Sequence, residues 1–246
     1  MFYFGSNTKR DLSIASHNSV ATAALRLATE FKDAQIFLLP AMPLFPSLKA
    51  QAGGSRLWIG NQTVSGTSGR DVTGEVSARL LKSLRSDLVM IGHAERREFF
   101  DDESSVAAQL EQAAQSRLRI LFCVGESRVT KDRKKLRAFL QRQLRPLGKI
   151  KAPLLVAYEP VFSIGARGKP ADPDYVASAM EIIAEALDKG GKSSVPILYG
   201  GSVTAENAAT YAALPNCDGL FVGRSAWSAR GFSSVFQAGY RGFLGG

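Results

Sequence analysis

Cysteine and histidine are both scarce in this 246-residue chain, which has two of each. Cys123 and Cys217 lie far apart and match no metal-ligand spacing. Two cysteines cannot build a disulfide framework, so a reducing, cytoplasmic setting is expected. No apolar stretch approaches the roughly 20 residues that a membrane-crossing helix needs, which excludes an integral membrane protein of that type. The opening Met1-Phe2-Tyr3-Phe4-Gly5 has neither a basic leader nor a cleavable apolar core, so no signal peptide is expected. No Pro/Gly/Ser-rich linker interrupts the chain, and residues 1–246 read as one domain.

Acidic residues are in deficit, 22 against 31 basic ones, for a net charge of +9. Much of the excess falls between Arg128 and Lys151, which holds ten Lys or Arg and the single acid Asp132. Leu136, Phe139, Leu140 and Leu144 recur within it at helical spacing. The run therefore reads as the solvated face of an amphipathic helix. No aromatic interleaving or nucleic-acid motif accompanies it, so no nucleic-acid partner is expected. A positive field would favour the approach of an anionic small molecule.

What the chain does have is rhythm. Short apolar runs occur at Phe2–Phe4, Ile36–Leu39, Leu57–Ile59, Leu88–Ile91, Ile120–Val124, Leu154–Tyr158, Ile197–Tyr199 and Leu220–Val222. Helical patterns lie between them. Ser16–Lys32 carries Val20, Ala24, Leu27 and Phe31 on one stripe, Gly74–Leu84 carries Val76, Leu80, Leu81 and Leu84, and Asp174–Leu187 follows Pro173. Eight continuous apolar runs alternating with helices are the pattern of repeated βα units whose strands are buried on both faces. A single-domain (β/α)8 barrel is the economical architecture. An open doubly wound sheet is the alternative, but no GxGxxG follows the first run.

In such a barrel, chemistry sits where strands end. The unusual polar residues fall there. Asn7 and Lys9 follow the first run, His93 and Glu95 the fourth, Glu159 the sixth, Gly200-Gly201-Ser202 the seventh and Gly223-Arg224 the eighth. Glu159 ends an apolar strand and precedes a stretch punctuated by Gly165 and Gly168, the layout of an enclosed base beside a hinged loop. A carboxylate capping the next turn is the plainer reading of that residue alone. His93 is either a satisfied core histidine or an imidazole at a helix start, placed to polarise a carbonyl. His17, near the first helix start, reads as a surface or capping residue. Glu95 and Arg96 would orient neighbours, and Arg97 would pair with Asp102 or Glu103. Lys9 could supply fixed positive charge to an anionic intermediate, with Asn7 holding it. The glycine turns at Gly200–Val203, opening a helix Thr204–Leu214, and at Gly223-Arg224 suit a phosphate bound by backbone N–H groups, although tight-turn geometry alone would also use glycine.

With these residues in place, the chain resembles the triosephosphate isomerase family. The matching segments are Asn7-Thr8-Lys9, Thr73-Gly74-Glu75-Val76-Ser77, Ile91-Gly92-His93-Ala94-Glu95-Arg96-Arg97, Cys123-Val124-Gly125-Glu126, Ala157-Tyr158-Glu159-Pro160-Val161 and Leu198-Tyr199-Gly200-Gly201-Ser202-Val203. They cover essentially the whole chain in family order. The resemblance implies a cofactor-free and metal-free isomerase acting on a small phosphorylated sugar through an enediol(ate). The glutamate base, neutral histidine and closing loop are that family's established pattern, not a deduction from spacing. On it, Glu159 would move a proton between adjacent carbons and His93 would shuttle protons at the two oxygens. Lys9 and Asn7 would stabilise the intermediate, while Gly165, Ser202, Gly223 and Arg224 would lie at the phosphate. The resemblance also implies a homodimer, whose loop Ser65–Val72 would insert beside the partner's first strand.

The departures bear on substrate. The usual Asn-Trp-Lys is Asn7-Thr8-Lys9, the usual His-Ser-Glu is His93-Ala94-Glu95, and the usual Gly-Gly after the last strand is Gly223-Arg224. The lid, Ala166-Arg167-Gly168-Lys169 after Gly165, is one residue longer than usual. The retained Asn7 points to dihydroxyacetone phosphate and glyceraldehyde 3-phosphate, the principal expectation. The longer lid and Gly223-Arg224-Ser225-Ala226-Trp227 look like the branch that isomerises tetrulose phosphates such as L-erythrulose 1-phosphate, the alternative. A barrel that binds a phosphorylated metabolite without turning it over is a second alternative.

Overall fold

The computed structural model describes residues 1–165 and 168–246. Eight strands, all paired in parallel, run β1 Phe2–Asn7, β2 Ala34–Leu39, β3 Trp58–Ile59, β4 Val89–Ile91, β5 Ile120–Val124, β6 Leu154–Tyr158, β7 Ile197–Tyr199 and β8 Gly219–Val222. The helices are α1 Ile14–Glu30, α2 Phe45–Gln51, α3 Ala78–Ser83, α4 Ala94–Phe99, α5 Glu103–Gln115, α6 Arg133–Leu144, α7 Pro173–Lys189, α8 Ala208–Ala212 and α9 Ala229–Gly245. The sheet order is β3-β2-β1-β8-β7-β6-β5-β4. Its two ends meet through a parallel bridge, Asn61 to Val89, in which the Met90 amide donates to the Asn61 carbonyl at 2.9 Å. This is the expected (β/α)8 barrel.

Strand alternation explains the continuous apolar runs. Phe37, Leu39, Met90, Leu121, Cys123, Leu155, Ala157, Leu198 and Phe221 fill the barrel interior. The residues between them, such as Phe4, Ile36, Leu38, Ile91, Phe122 and Val156, pack against the helices. Both faces are buried, so alternation in position leaves no alternation in hydrophobicity. Gly5 faces inward, where a Cβ would lie 2.0 Å from the Phe37 ring. Helix starts are set by side-chain caps: Ser13 on α1, Asp102 on α5, Asp132 on α6, and Asp172 with Pro173 on α7.

Three expectations are corrected. The helix expected over Gly74–Leu84 forms only at Ala78–Ser83, because Ser77 caps it, and Leu80 of the expected stripe is exposed. The helix expected over Thr204–Leu214 forms only at Ala208–Ala212, because the Asn207 side chain accepts the Thr204 amide in a local turn. His17 is not on the surface. It is fully buried inside α1. The basic segment behaves as expected. Leu136, Leu140 and Leu144 face the core, while Arg133 and Arg137 pair with Glu181 and Glu185 of α7. No helix among the described residues is long and apolar enough to cross a membrane.

Candidate active site

Strand parity places two of the key side chains. Along β6, Leu155 and Ala157 point into the barrel and Tyr158 points out, so Glu159 points in. Along β1 the same count makes Asn7 an inward residue. His93 comes off β4 after Gly92, whose φ of +78° redirects the chain. His93 then caps α4, its Nδ1 accepting the Glu95 amide at 3.2 Å. A ring nitrogen that accepts an N–H carries no proton, so the proton of His93 resides on Nε2. That Nε2 lies 3.4 Å from Glu159 Oε1, and each side chain is only 4% exposed.

Glycines permit this approach. A Cβ at Gly200 would lie 2.7 Å from Glu159 Cγ, and one at Gly125 would lie 2.0 Å from the Glu159 carbonyl oxygen. Oε2 of Glu159 is buried with no hydrogen-bond partner among the described residues. A hydroxyl at position 94 would be a candidate partner, but the residue there is Ala94. Cys123, on the inward layer of β5 beside Ala157, sits under the carboxylate. Burial, and then the neighbouring Glu159, push its thiol pKa well up, so it stays protonated.

Lys9 occupies the left-handed region at φ +54°. Its amide donates to Asn7 Oδ1 at 2.9 Å, its carbonyl accepts from Gln62 Nε2 at 2.8 Å, and its ammonium pairs with Glu95 Oε1. Glu95 is thus the ion-pair partner of the Lys9 ammonium. Arg96 pairs with Asp101 through its Nε and Nη2, and Arg97 pairs with Glu103 at 2.8 Å, while Asp102 caps α5 instead.

One cavity of about 470 Å³ collects these groups. Asn7, Lys9, His93, Glu159, Gly165, Ser202, Gly223 and Arg224 all line it. Every site residue expected from sequence reaches it except Glu95, which acts on it through Lys9. The presumed helix N-terminus after β7 is absent, since α8 starts only at Ala208. The segment Gly200–Val203 is an irregular turn, and a short 3-10 helix, Arg224–Ala226, starts directly after Gly223. Ser202 Oγ donates to the Ser163 carbonyl at 2.5 Å, and Arg224 Nη2 donates to the Gly165 carbonyl at 2.5 Å. Ala166 and Arg167 of the expected lid lie outside the described residues.

Sequence reasoning gave no role to several residues found here. Trp227 lines the cavity and donates Nε1–H to the Asn7 carbonyl at 2.8 Å. Gln62 follows a two-residue strand too short to carry a periodic signal. Cys123 was readable from strand parity. Behind Glu159, Glu126 Oε1 accepts from Tyr158 at 2.9 Å and Tyr175 at 2.8 Å, while burial raises its carboxyl pKa.

The family model described as triosephosphate isomerase matches residues 2–239. Among curated proteins, the L-erythrulose-1-phosphate isomerase of Brucella abortus (strain 2308) is 35% identical over 243 residues, 95% of this chain and 94% of that protein. The one from Rhizobium etli is 34% identical over 233 residues, covering 89% and 87%. The one from Mesorhizobium japonicum is 32% identical over 243 residues, covering 96% of each chain.

Proposed function

The chain belongs to the triosephosphate isomerase family, and on that premise we propose that it isomerises a tetrulose phosphate, with L-erythrulose 1-phosphate as the substrate to test first. The family makes it an isomerase. The choice of substrate rests on the names of its relatives, so the expectation of a triose substrate gives way to its alternative.

The observation that carries the chemistry is the facing pair His93 Nε2 and Glu159 Oε1, open to a cavity with Lys9. In L-erythrulose 1-phosphate the carbonyl is next to the phosphate-bearing carbon. Glu159 removes the proton from the carbinol carbon on the carbonyl's far side. His93 Nε2–H donates toward the carbonyl oxygen as the enediol(ate) forms. The Lys9 ammonium offsets the charge that develops there. His93 then recovers a proton from the other enediol oxygen, and Glu159 returns its proton to the former carbonyl carbon. The carbonyl has moved by one carbon, and the product is D-erythrulose 4-phosphate. No redox partner is needed, because one carbon gains what its neighbour loses.

The phosphate would sit against Gly165, Ser202, Gly223 and Arg224, which line the same cavity as the base. Dihydroxyacetone phosphate presents the same carbonyl and phosphate but has hydrogen where the tetrulose has a hydroxymethyl group. The retained Asn7 keeps it as a second substrate reading. A homodimer is part of the proposal. The Ser65 amide donates to the Val76 carbonyl at 2.9 Å, closing the base of a loop whose residues 67–75 are all exposed. Phe99 and Phe100 are also exposed. Light scattering on an active monomer would remove the dimer from the reading. The substrate test is a side-by-side measurement of kcat/KM. The tetrulose phosphate is expected to exceed dihydroxyacetone phosphate, and the reverse order would overturn the choice.

A further inference from the structure

His17 is buried to 1% exposure on the first turn of α1, yet it plays no part in the chemistry described. Both its ring nitrogens are engaged. Nδ1 lies 3.0 Å from the Ser13 carbonyl, which can only accept, so Nδ1 is the donor. Nε2, the accepting nitrogen of that tautomer, lies 2.8 Å from Thr8 Oγ1, and the same hydroxyl lies 3.3 Å from the Leu39 carbonyl. Thr8 is buried as well, and its amide bonds to the Leu39 carbonyl at 3.2 Å. The next residue is Lys9, held at φ +54°. A lysine there is in a conformation that side-chain-bearing residues seldom take, and it persists only where surrounding contacts over-determine it.

Those contacts can be counted. The Asn7 carboxamide holds the Lys9 amide, and the Gln62 carboxamide holds its carbonyl. Neither fixes the residue in front of it. The resemblance puts a tryptophan at position 8, and a threonine fills far less space. The imidazole of His17 occupies the ground beside it and supplies a directional bond in place of bulk. We propose that the His17–Thr8 pair is a positioning device for Lys9. It anchors the β1–α1 turn to the first turn of α1 so that the ammonium meets both Glu95 and the cavity. The inference rests on the reading of Lys9 as a substrate-binding residue.

Two sets of variants test it. Thr8→Val keeps the shape and removes the hydroxyl with its contacts to His17 and to the Leu39 carbonyl, and it should lower kcat/KM about tenfold, chiefly through KM; the His17 variants isolate the His17 contact. Thr8→Ser, which restores the hydroxyl, should recover most of the loss. Introduced on top of Lys9→Met, Thr8→Val should have almost no further effect, because the group it positions is gone. At position 17, Gln can reach Thr8 as Nε2 does, whereas Asn can reach only toward Ser13. His17→Gln should therefore retain more activity than His17→Asn at similar thermal stability. Full additivity of Thr8→Val with Lys9→Met, or equal behaviour of the two His17 variants, would reduce the pair to core packing and overturn the proposal. Hydrogen exchange of the Lys9 amide, read by NMR, should speed up in Thr8→Val and His17→Asn even with no substrate present. An unchanged rate there overturns positioning by itself. Absence of turnover by the wild-type protein would instead count against the function.

Discussion

The imidazole Nε2 of His93 stands 3.4 Å from Oε1 of Glu159, at the mouth of a barrel whose interior is packed with Phe37, Leu39, Leu121, Leu155, Leu198 and Phe221. Both groups line one cavity, so a substrate edge seated there can be touched by the N–H and by the carboxylate together. Replacing Glu159 by Gln keeps the volume and removes the base. We expect kcat to fall by at least about a thousandfold, as loss of a positioned general base does. The circular dichroism spectrum and unfolding midpoint should change little, because the carboxamide keeps the volume and an oxygen acceptor for the neighbouring Cys123 thiol. Wild-type turnover by Glu159→Gln would remove this residue from the mechanism.

The closeness of Gly200 to Glu159 makes a separate prediction. An alanine there places its methyl 2.7 Å from Glu159 Cγ, inside any real contact distance. The carboxylate must turn, because the β6 backbone is fixed by the bond from the Gly200 amide to the Tyr158 carbonyl at 2.8 Å. Gly200→Ala should lower kcat by roughly a hundredfold, since a displacement on the order of 1 Å of a reacting group costs about that much. Stability should fall by no more than about 3 kcal/mol, the usual limit for overpacking. Normal kcat in this variant would mean that the carboxylate position is not critical.

The barrel and its catalytic mouth were legible because both follow from local rules. Runs such as Ile120–Val124 and Leu154–Tyr158 coincide with β5 and β6, and the inward parity count along β6 carries Glu159 into the cavity. Distant partnerships left no local trace. His17 looks like a cap from its place near Ser13, and only the fold brings Thr8 against it. The seventh helix unit shrank because Asn207 bonds back to Thr204, a preference that periodicity does not record. Gln62 and Trp227 reach the site from a two-residue strand and from a turn after β8, where sequence period carries no information.

Acid and base stability should depend on Glu126. Burial raises its carboxyl pKa in the folded protein above the ordinary value near 4.5. The folded state therefore holds a proton that the unfolded chain has already lost. Stability then declines as pH rises from about 4.5 through the raised folded value, and levels off above it. Asp218, also raised by burial, adds to the same slope. Asp102 acts oppositely. Hydrogen bonds from Ser105 and Ser104 lower it to about 2, so its contribution is complete above 3.8 and is lost as pH falls toward 2. Glu126→Gln preserves an acceptor for Tyr158 and Tyr175 but cannot ionise. Urea unfolding at a series of pH values should show a flatter profile on the alkaline side of pH 4.5 for this variant. An identical slope would show that the raised carboxyl is not what sets it.

Arg224 reaches from the end of β8 across the cavity mouth to the Gly165 carbonyl at 2.5 Å. Its guanidinium has five N–H donors, so one bond to a carbonyl leaves others for a phosphate on the same wall. Around it, among the described residues, the lining offers glycine backbone and the hydroxyls of Ser202, Thr204 and Ser225, of which Ser202 is already given to Ser163 and Ser225 to Val203. Removing this charge, by Arg224→Ala, should raise KM about tenfold or more, the scale of one charge-assisted hydrogen bond. The value of kcat should move by less than about threefold, because the phosphate keeps its charge throughout the reaction and gains nothing extra in the transition state. Arg224→Lys keeps the charge and loses the fork, so its KM should fall between the two. The salt dependence of kcat/KM should weaken in Arg224→Ala and persist in Arg224→Lys. A KM that stays put in both variants would mean that the guanidinium serves only Gly165, and that the phosphate is held by backbone alone.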